Sequence, residues 1–111
     1  MTLYGRLGTI TAQAGQREAL LELLLGMAAV ADGMPGCHLY LIGRSEDNSD
    51  DIVITEGWDS AEAHAASLRL PGVIETIGKA RPLIASMSGS GFTLLGGIGM
   101  PNKGHDANNG T

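Results

Sequence analysis

The strongest constraint on the fold of this chain lies between Asp51 and Ala85, DIVITEGWDSAEAHAASLRLPGVIETIGKARPLIA. It opens with a period-two run that places Ile52, Ile54, Glu56 and Trp58 on one face of a β-strand, and it stops at the one tryptophan of the sequence. A helix follows at once. Asp59 and Ser60 are good N-cap residues, and Glu62 puts an acid in the first turn, where unpaired backbone N–H groups favour negative charge. Pro71 cannot continue that helix but fits the first turn of another, so the spacing predicts a short helix and then a second one from Pro71 to about Ala85.

The flanking segments extend the pattern. Residues 2–12 read as a strand by their Tyr, Ile and Thr content, with Tyr4, Arg6, Gly8 and Ile10 on one face. Gly5 and Gly8 weaken that strand; they mark either a bend or a place where another group comes close. Residues 16–31 form a helix with Leu20, Leu23, Leu24, Met27 and Ala31 on one stripe. Leu21 and Leu25 lie off that stripe, either exposed or packed on a neighbour. The composition of Asp32 to Gly36 predicts a turn, and Cys37 to Arg44 a strand in which His38, Tyr40, Ile42 and Arg44 alternate with Cys37, Leu39, Leu41 and Gly43. The acidic run Ser45 to Asp51 lacks the glycine and ligand spacing of a calcium loop and reads as a solvated hairpin connection. A last short strand is centred on Phe92 to Leu95. The glycines before it, Gly89 and Gly91, precede a strand instead of opening a helix, so they are no dinucleotide fingerprint. Residues 1–99 thus form one domain, and 100–111 a polar, mobile tail.

Composition narrows the function. Only seven Lys and Arg are spread along a chain of net charge −5, which argues against nucleic acid and anionic membranes as partners. One cysteine and three scattered histidines make neither an internal disulfide nor a tetrahedral metal site, and a reduced, cytoplasmic setting is expected. The leucine-rich stretch from Ala19 to Ala31 is too short and too interrupted to span a bilayer.

The order β-α-β-β-α(α)-β is that of the α+β, ferredoxin-like split β-α-β arrangement, with a four-stranded antiparallel sheet and its helices on one face. If Ile52, Ile54 and Trp58 point toward the helices, Val53 and Thr55 point away, and the opposite face is bare and partly apolar. A second copy of the chain would cover it.

The segment from Gly36 to Ile84 resembles the core of antibiotic biosynthesis monooxygenase (ABM) domains, in which a Gly-Cys strand, a hairpin, a Glu-x-Trp strand end and an Ala-His-x-x-Ser helix recur in that order. The matching positions are Gly36, Cys37, Glu56, Trp58, Ala63, His64, Ser67 and Pro82, and the likeness covers roughly residues 2 to 97. The resemblance implies a homodimeric α/β barrel and, in its oxygenase members, attack on flat aromatic or quinol-like substrates without metal, flavin or other cofactor.

Six residues bear on the site. Trp58 is either a core plug with a satisfied indole N–H or, as the resemblance implies, a wall of the pocket on which a flat substrate stacks. His64 is either a hydrogen-bonded helix residue or a proton acceptor with an ordinary pKa near neutrality; deprotonating a phenol or quinol makes an anion able to reduce oxygen directly. Glu56 shares the face of Trp58, and a buried carboxylate must be paired or protonated, with His64, Arg6 or Arg81 as partners. Tyr40 and His38 share a strand face and offer polar groups. The candidate site is therefore His64 and Trp58 as catalytic residues and Trp58, Glu56, Tyr40 and Arg6 as substrate-binding residues, with no metal and no cofactor. Two departures from the family pattern matter. Ile54 stands where the cofactor-free oxygenases have asparagine, and the strand-1 asparagine and later-helix histidine of the haem-degrading branch are absent. The competing reading is a non-catalytic dimeric barrel that binds a small hydrophobic ligand.

Overall fold

The computed structural model describes residues 2–100. Its elements are β1 (Leu3–Ala12), α1 (Arg17–Ala31), β2 (Cys37–Arg44), β3 (Asp51–Trp58), α2 (Ala61–Ser67), α3 (Pro71–Ala80), a 3-10 turn at Arg81–Leu83, and β4 (Ile84–Leu94). All neighbouring strands are antiparallel in the order β2-β3-β1-β4, the ferredoxin-like arrangement expected from the element order. The tail expected from residue 100 onward falls, after Met100, outside the described residues.

Two apolar clusters join helices to sheet. The larger unites Ile10, Ala12, Leu20, Leu21, Leu24, Ile52, Ile54 and Ala80. Leu21, off the predicted stripe, is buried, whereas Leu25 is 54% exposed. Burying a leucine side chain contributes about 1.5 to 3 kcal/mol, so α1 is held mainly by Leu20, Leu21 and Leu24. The second cluster is built on Met34, Trp58 and Val73, beneath α2 and α3.

Local chemistry sets most element ends. The Ser60 side chain caps α2 by accepting from Ala63 N at 3.0 Å, and Pro71 occupies the first turn of α3. Gly36, which closes the turn before β2, has φ +80°, and a Cβ there would stand 2.8 Å from Ala63 Cβ. Only glycine satisfies both the backbone and the approach of α2. In the hairpin connection, Ser45 Oγ accepts from the amides of Asp47 and Asn48, both at 3.2 Å.

Three expectations need correction. The second helix ends at Ala80, not near Ala85. Pro82 has no N–H with which to continue an α-helix, the chain tightens into the 3-10 turn, and Ile84 is already extended. Consequently β4 is an eleven-residue strand from Ile84 to Leu94 instead of a short one around Phe92 to Leu95. Its Ser- and Gly-rich sequence has little strand propensity, and pairing along β1, from Leu3 opposite Leu94 to Thr11 opposite Ser86, holds it in place. The third correction is in β2. A register shift between Cys37 and Leu39 makes His38 the extra residue, so that Cys37 lies opposite Trp58 and Tyr40 opposite Glu56. His38, at this irregularity, turns its ring to Asp59, whereas Cys37 and Tyr40 both pack on the Trp58 cluster.

The face of the sheet away from the helices exposes Leu7, Leu41, Val53 and Phe92. Gly5 belongs to this face. A Cβ on it would come within 2.6 Å of the Phe92 ring, so this glycine makes room for a side chain of the cross-strand neighbour. No described helix is long and apolar enough to cross a membrane.

Candidate functional site

Three cross-strand rows of the helix-facing side build the site. In the first, Cys37, Trp58 and Tyr4 stand side by side on β2, β3 and β1; in the second, Tyr40, Glu56 and Arg6; in the third, Ile42, Ile54 and Gly8, continued on β4 by Gly89. The helices roof these rows and leave a cleft of about 380 Å³. Its walls are largely apolar, with Leu24, Met27, Met34, Val73 and Ile77 facing Ile54 and Trp58.

Within that apolar setting the polar groups are connected. Glu56 Oε1 accepts a hydrogen bond from the indole N–H of Trp58 at 2.9 Å and lies 3.7 Å from His64 Nε2. The His64 ring meets Trp58 edge-on with centroids 5.5 Å apart and tilts against Tyr4 at 6.1 Å. Ser67 Oγ donates to the His64 carbonyl at 2.6 Å within α2, which satisfies a carbonyl of its last turn. Arg6 Nη1 donates to the Tyr4 hydroxyl at 3.1 Å.

Electrostatics follow from burial. Desolvation pulls the His64 pKa below its ordinary value; the Glu56 charge opposes this and the Arg6 charge reinforces it. The imidazole is thus predominantly neutral at pH 7 and free to accept a proton. Burial pushes the Tyr40 hydroxyl well above the usual phenol range, and the nearby Glu56 adds to the effect. The Cys37 thiol is pushed up mainly by desolvation, which makes it a poor nucleophile.

The five residues of the candidate site, Arg6, Tyr40, Glu56, Trp58 and His64, all line this one cleft. Glu56 takes the Trp58 indole as its hydrogen-bond partner, one not anticipated. Trp58 combines its two readings: it is 1% exposed, with its N–H satisfied, and it also forms part of the cleft wall. His38 stands apart, with Nε2 2.6 Å from Asp59 Oδ1. Sequence reasoning also missed Tyr4, although its place two residues before Arg6 on the same strand face was a usable signal. It missed Gly89 as well, because β4 was not recognised there. Among the described residues, no three His, Cys, Asp or Glu side chains gather as a metal site would need.

Residues 4–79 match the sequence profile of the antibiotic biosynthesis monooxygenase family. Among solved structures, a candidate antibiotic biosynthesis monooxygenase from Chloroflexus aurantiacus is 41% identical, with a TM-score of 0.81 over 89% of this chain and 99% of that one. One from Deinococcus radiodurans is 27% identical, with a TM-score of 0.75 over 88% and 98% of the two chains. An asparagine-to-alanine variant of SnoaB, a cofactor-independent oxygenase from Streptomyces nogalater, shares the fold at 18% identity, with a TM-score of 0.74 over 87% of this chain and 97% of that one. Comparison with curated proteins gave no match.

Proposed function

The chain belongs to the antibiotic biosynthesis monooxygenase family, and from that membership and the geometry of the cleft we propose that it is a cofactor-independent monooxygenase acting on a quinol or an aromatic polyketide-like molecule. The observation that carries the reading is a neutral imidazole, His64, set beside Glu56 and Trp58 in an apolar cleft. SnoaB, described as a cofactor-independent oxygenase, supports this chemistry on this fold.

In this reading the substrate ring lies in the apolar cleft over the buried Trp58 and beside His64, and its phenol or enol gives a proton to His64. The resulting anion reduces O2 and forms a carbon–oxygen bond at the activated ring carbon. For an anthrone-type methylene the peroxide then collapses: the O–O bond breaks, one oxygen stays as a carbonyl, and the other leaves as water with both hydrogens of the methylene. The carbon is oxidised, O2 is fully reduced, and His64 returns its proton within the cycle. Glu56, anchored by the Trp58 N–H, stabilises the imidazolium formed midway. Ile54, in place of the asparagine expected from the resemblance, leaves this polar work to Glu56, His64 and Arg6.

The test is oxygen consumption by chelator-treated protein with anthrones and quinols, corrected for autoxidation. Stoichiometric uptake lost in His64→Ala supports the proposal. Binding without uptake would favour the second reading, a non-catalytic carrier, to which the largely apolar walls and Ile54 lend weight.

We also infer a homodimer. Leu7, Leu41, Val53 and Phe92 make the bare sheet face apolar, and a second copy of that face is its self-complementary cover.

A further inference from the structure

Arg6 is a half-buried cation in the wall of an apolar cleft, where partial desolvation strengthens its attraction for an anion. Glu56 stands directly across from it on β3, but among the described residues no carboxylate comes within ion-pairing distance of the guanidinium. The Glu56 carboxyl is turned instead to Trp58 and His64. Arg6 spends one donor, Nη1, on the neutral Tyr4 hydroxyl.

The next strand makes room for the rest of the group. A Cβ on Gly89 would stand 3.3 Å from Arg6 Nη2, and one on Gly91 would stand 3.0 Å from the Tyr4 hydroxyl. Neither glycine has a positive φ, so the backbone does not require glycine at either position. What the missing side chains provide is space, over which the guanidinium and the phenol lie. Gly8, paired with Gly89, extends the side-chain-free floor.

We propose that Arg6 is the receptor for a carboxylate on the ligand, so that the molecules taken by this cleft are aromatic acids, with the rings directed at Trp58 and the acid group on Nη2 above Gly89. A planar fork of donors matches a carboxylate with two parallel, charge-assisted hydrogen bonds. The ligand supplies the anion that the chain itself does not. This rests on the cleft being a ligand site and is independent of whether oxygenation occurs there.

Two probes separate the possibilities, anthraquinone-2-carboxylate and its neutral carboxamide, each titrated against the fluorescence of Trp58 at low salt. The wild type is expected to bind the carboxylate at least tenfold more tightly, with a preference that shrinks as salt rises. Arg6→Gln should bind both alike, and Arg6→Lys should keep part of the preference. Equal affinities in the wild type would overturn the assignment of Arg6 and leave the cleft as a neutral-ligand site, and an undiminished carboxylate preference in a folded Arg6→Gln protein would overturn it by placing the anion receptor elsewhere. Binding of neither probe at millimolar concentration would overturn both the assignment and the cleft reading. If the Gln variant does not fold, Arg6→Lys decides the matter: it keeps the charge but loses the planar fork, so a reduced carboxylate preference in it supports the assignment and an unchanged one overturns the bidentate pairing.

Discussion

A single oxygen atom, Glu56 Oε1, holds the Trp58 indole at 2.9 Å and faces His64 at 3.7 Å, so substitutions at these residues are coupled. Trp58→Phe removes both volume from a buried position and the N–H that satisfies Glu56. It should lower stability by about 1 to 2 kcal/mol in urea titrations while leaving the fold intact, and the folded variant should lose affinity for flat ligands; unchanged binding would confine Trp58 to the core. For His64 the sign of the pH effect is fixed. Its folded pKa lies below the ordinary 6.5, so the unfolded chain binds more protons in the window between the two values. The contribution of His64 is therefore fully present above 6.5 and is lost as pH falls through the depressed value. Thermal midpoints of the wild type should drop below pH 6.5 more steeply than those of His64→Gln, and parallel curves would contradict the burial of the ring. Removing the Arg6 charge favours the imidazolium, so Arg6→Gln should raise the His64 pKa when the imidazole is followed by NMR. Much of this was legible in the sequence, because period-two spacing joins Glu56 to Trp58 and a capped helix brings His64 back over them. The Trp58 to Glu56 hydrogen bond was not, since it depends on rotamers that spacing does not fix.

The short helix α2 is positioned by what flanks it, Gly36 lying under Ala63 and Ser60 capping its start, while Ser67 closes its last turn on the His64 carbonyl. Gly36→Ala forces a side chain onto a backbone with φ +80° and against Ala63 at 2.8 Å. It should destabilise the protein by more than about 1 kcal/mol, measured as a lower urea midpoint; a neutral result would mean that α2 shifts freely. The ends of β3, α2 and the start of α3 could be read from the chain, because Trp58, Ser60 and Pro71 act locally. β4 and the bulge at His38 could not. The serines and glycines from Ser86 to Gly91 carry neither apolar alternation nor strand propensity, and they become a strand only because β1 offers its free edge. A bulge is likewise a property of two paired strands, and nothing in Cys37, His38 and Leu39 announces it.

For the molecule as a whole, one sheet face is roofed by helices and the other carries Leu7, Leu41, Val53 and Phe92 in the open. Leu7 and Leu41 flank Thr55 from either side, so a charge at Leu41 would sit within the patch. The wild type should sediment as a dimer at micromolar concentration and Leu41→Lys should shift toward monomer with its circular dichroism unchanged; a folded wild-type monomer would refute the dimer. The alternation of Val53 and Thr55 against Ile54 made the bare face legible, whereas the chain alone does not reveal how a second copy would sit on it. The central claim is that this cleft transfers an oxygen atom from O2 with no added cofactor. The most direct measurement is product mass after turnover of an anthrone by chelator-treated protein under ¹⁸O₂. One ¹⁸O in the quinone, one in water, and loss of this labelling rate in His64→Ala is the predicted result. Label incorporated no faster than in the protein-free control would contradict it.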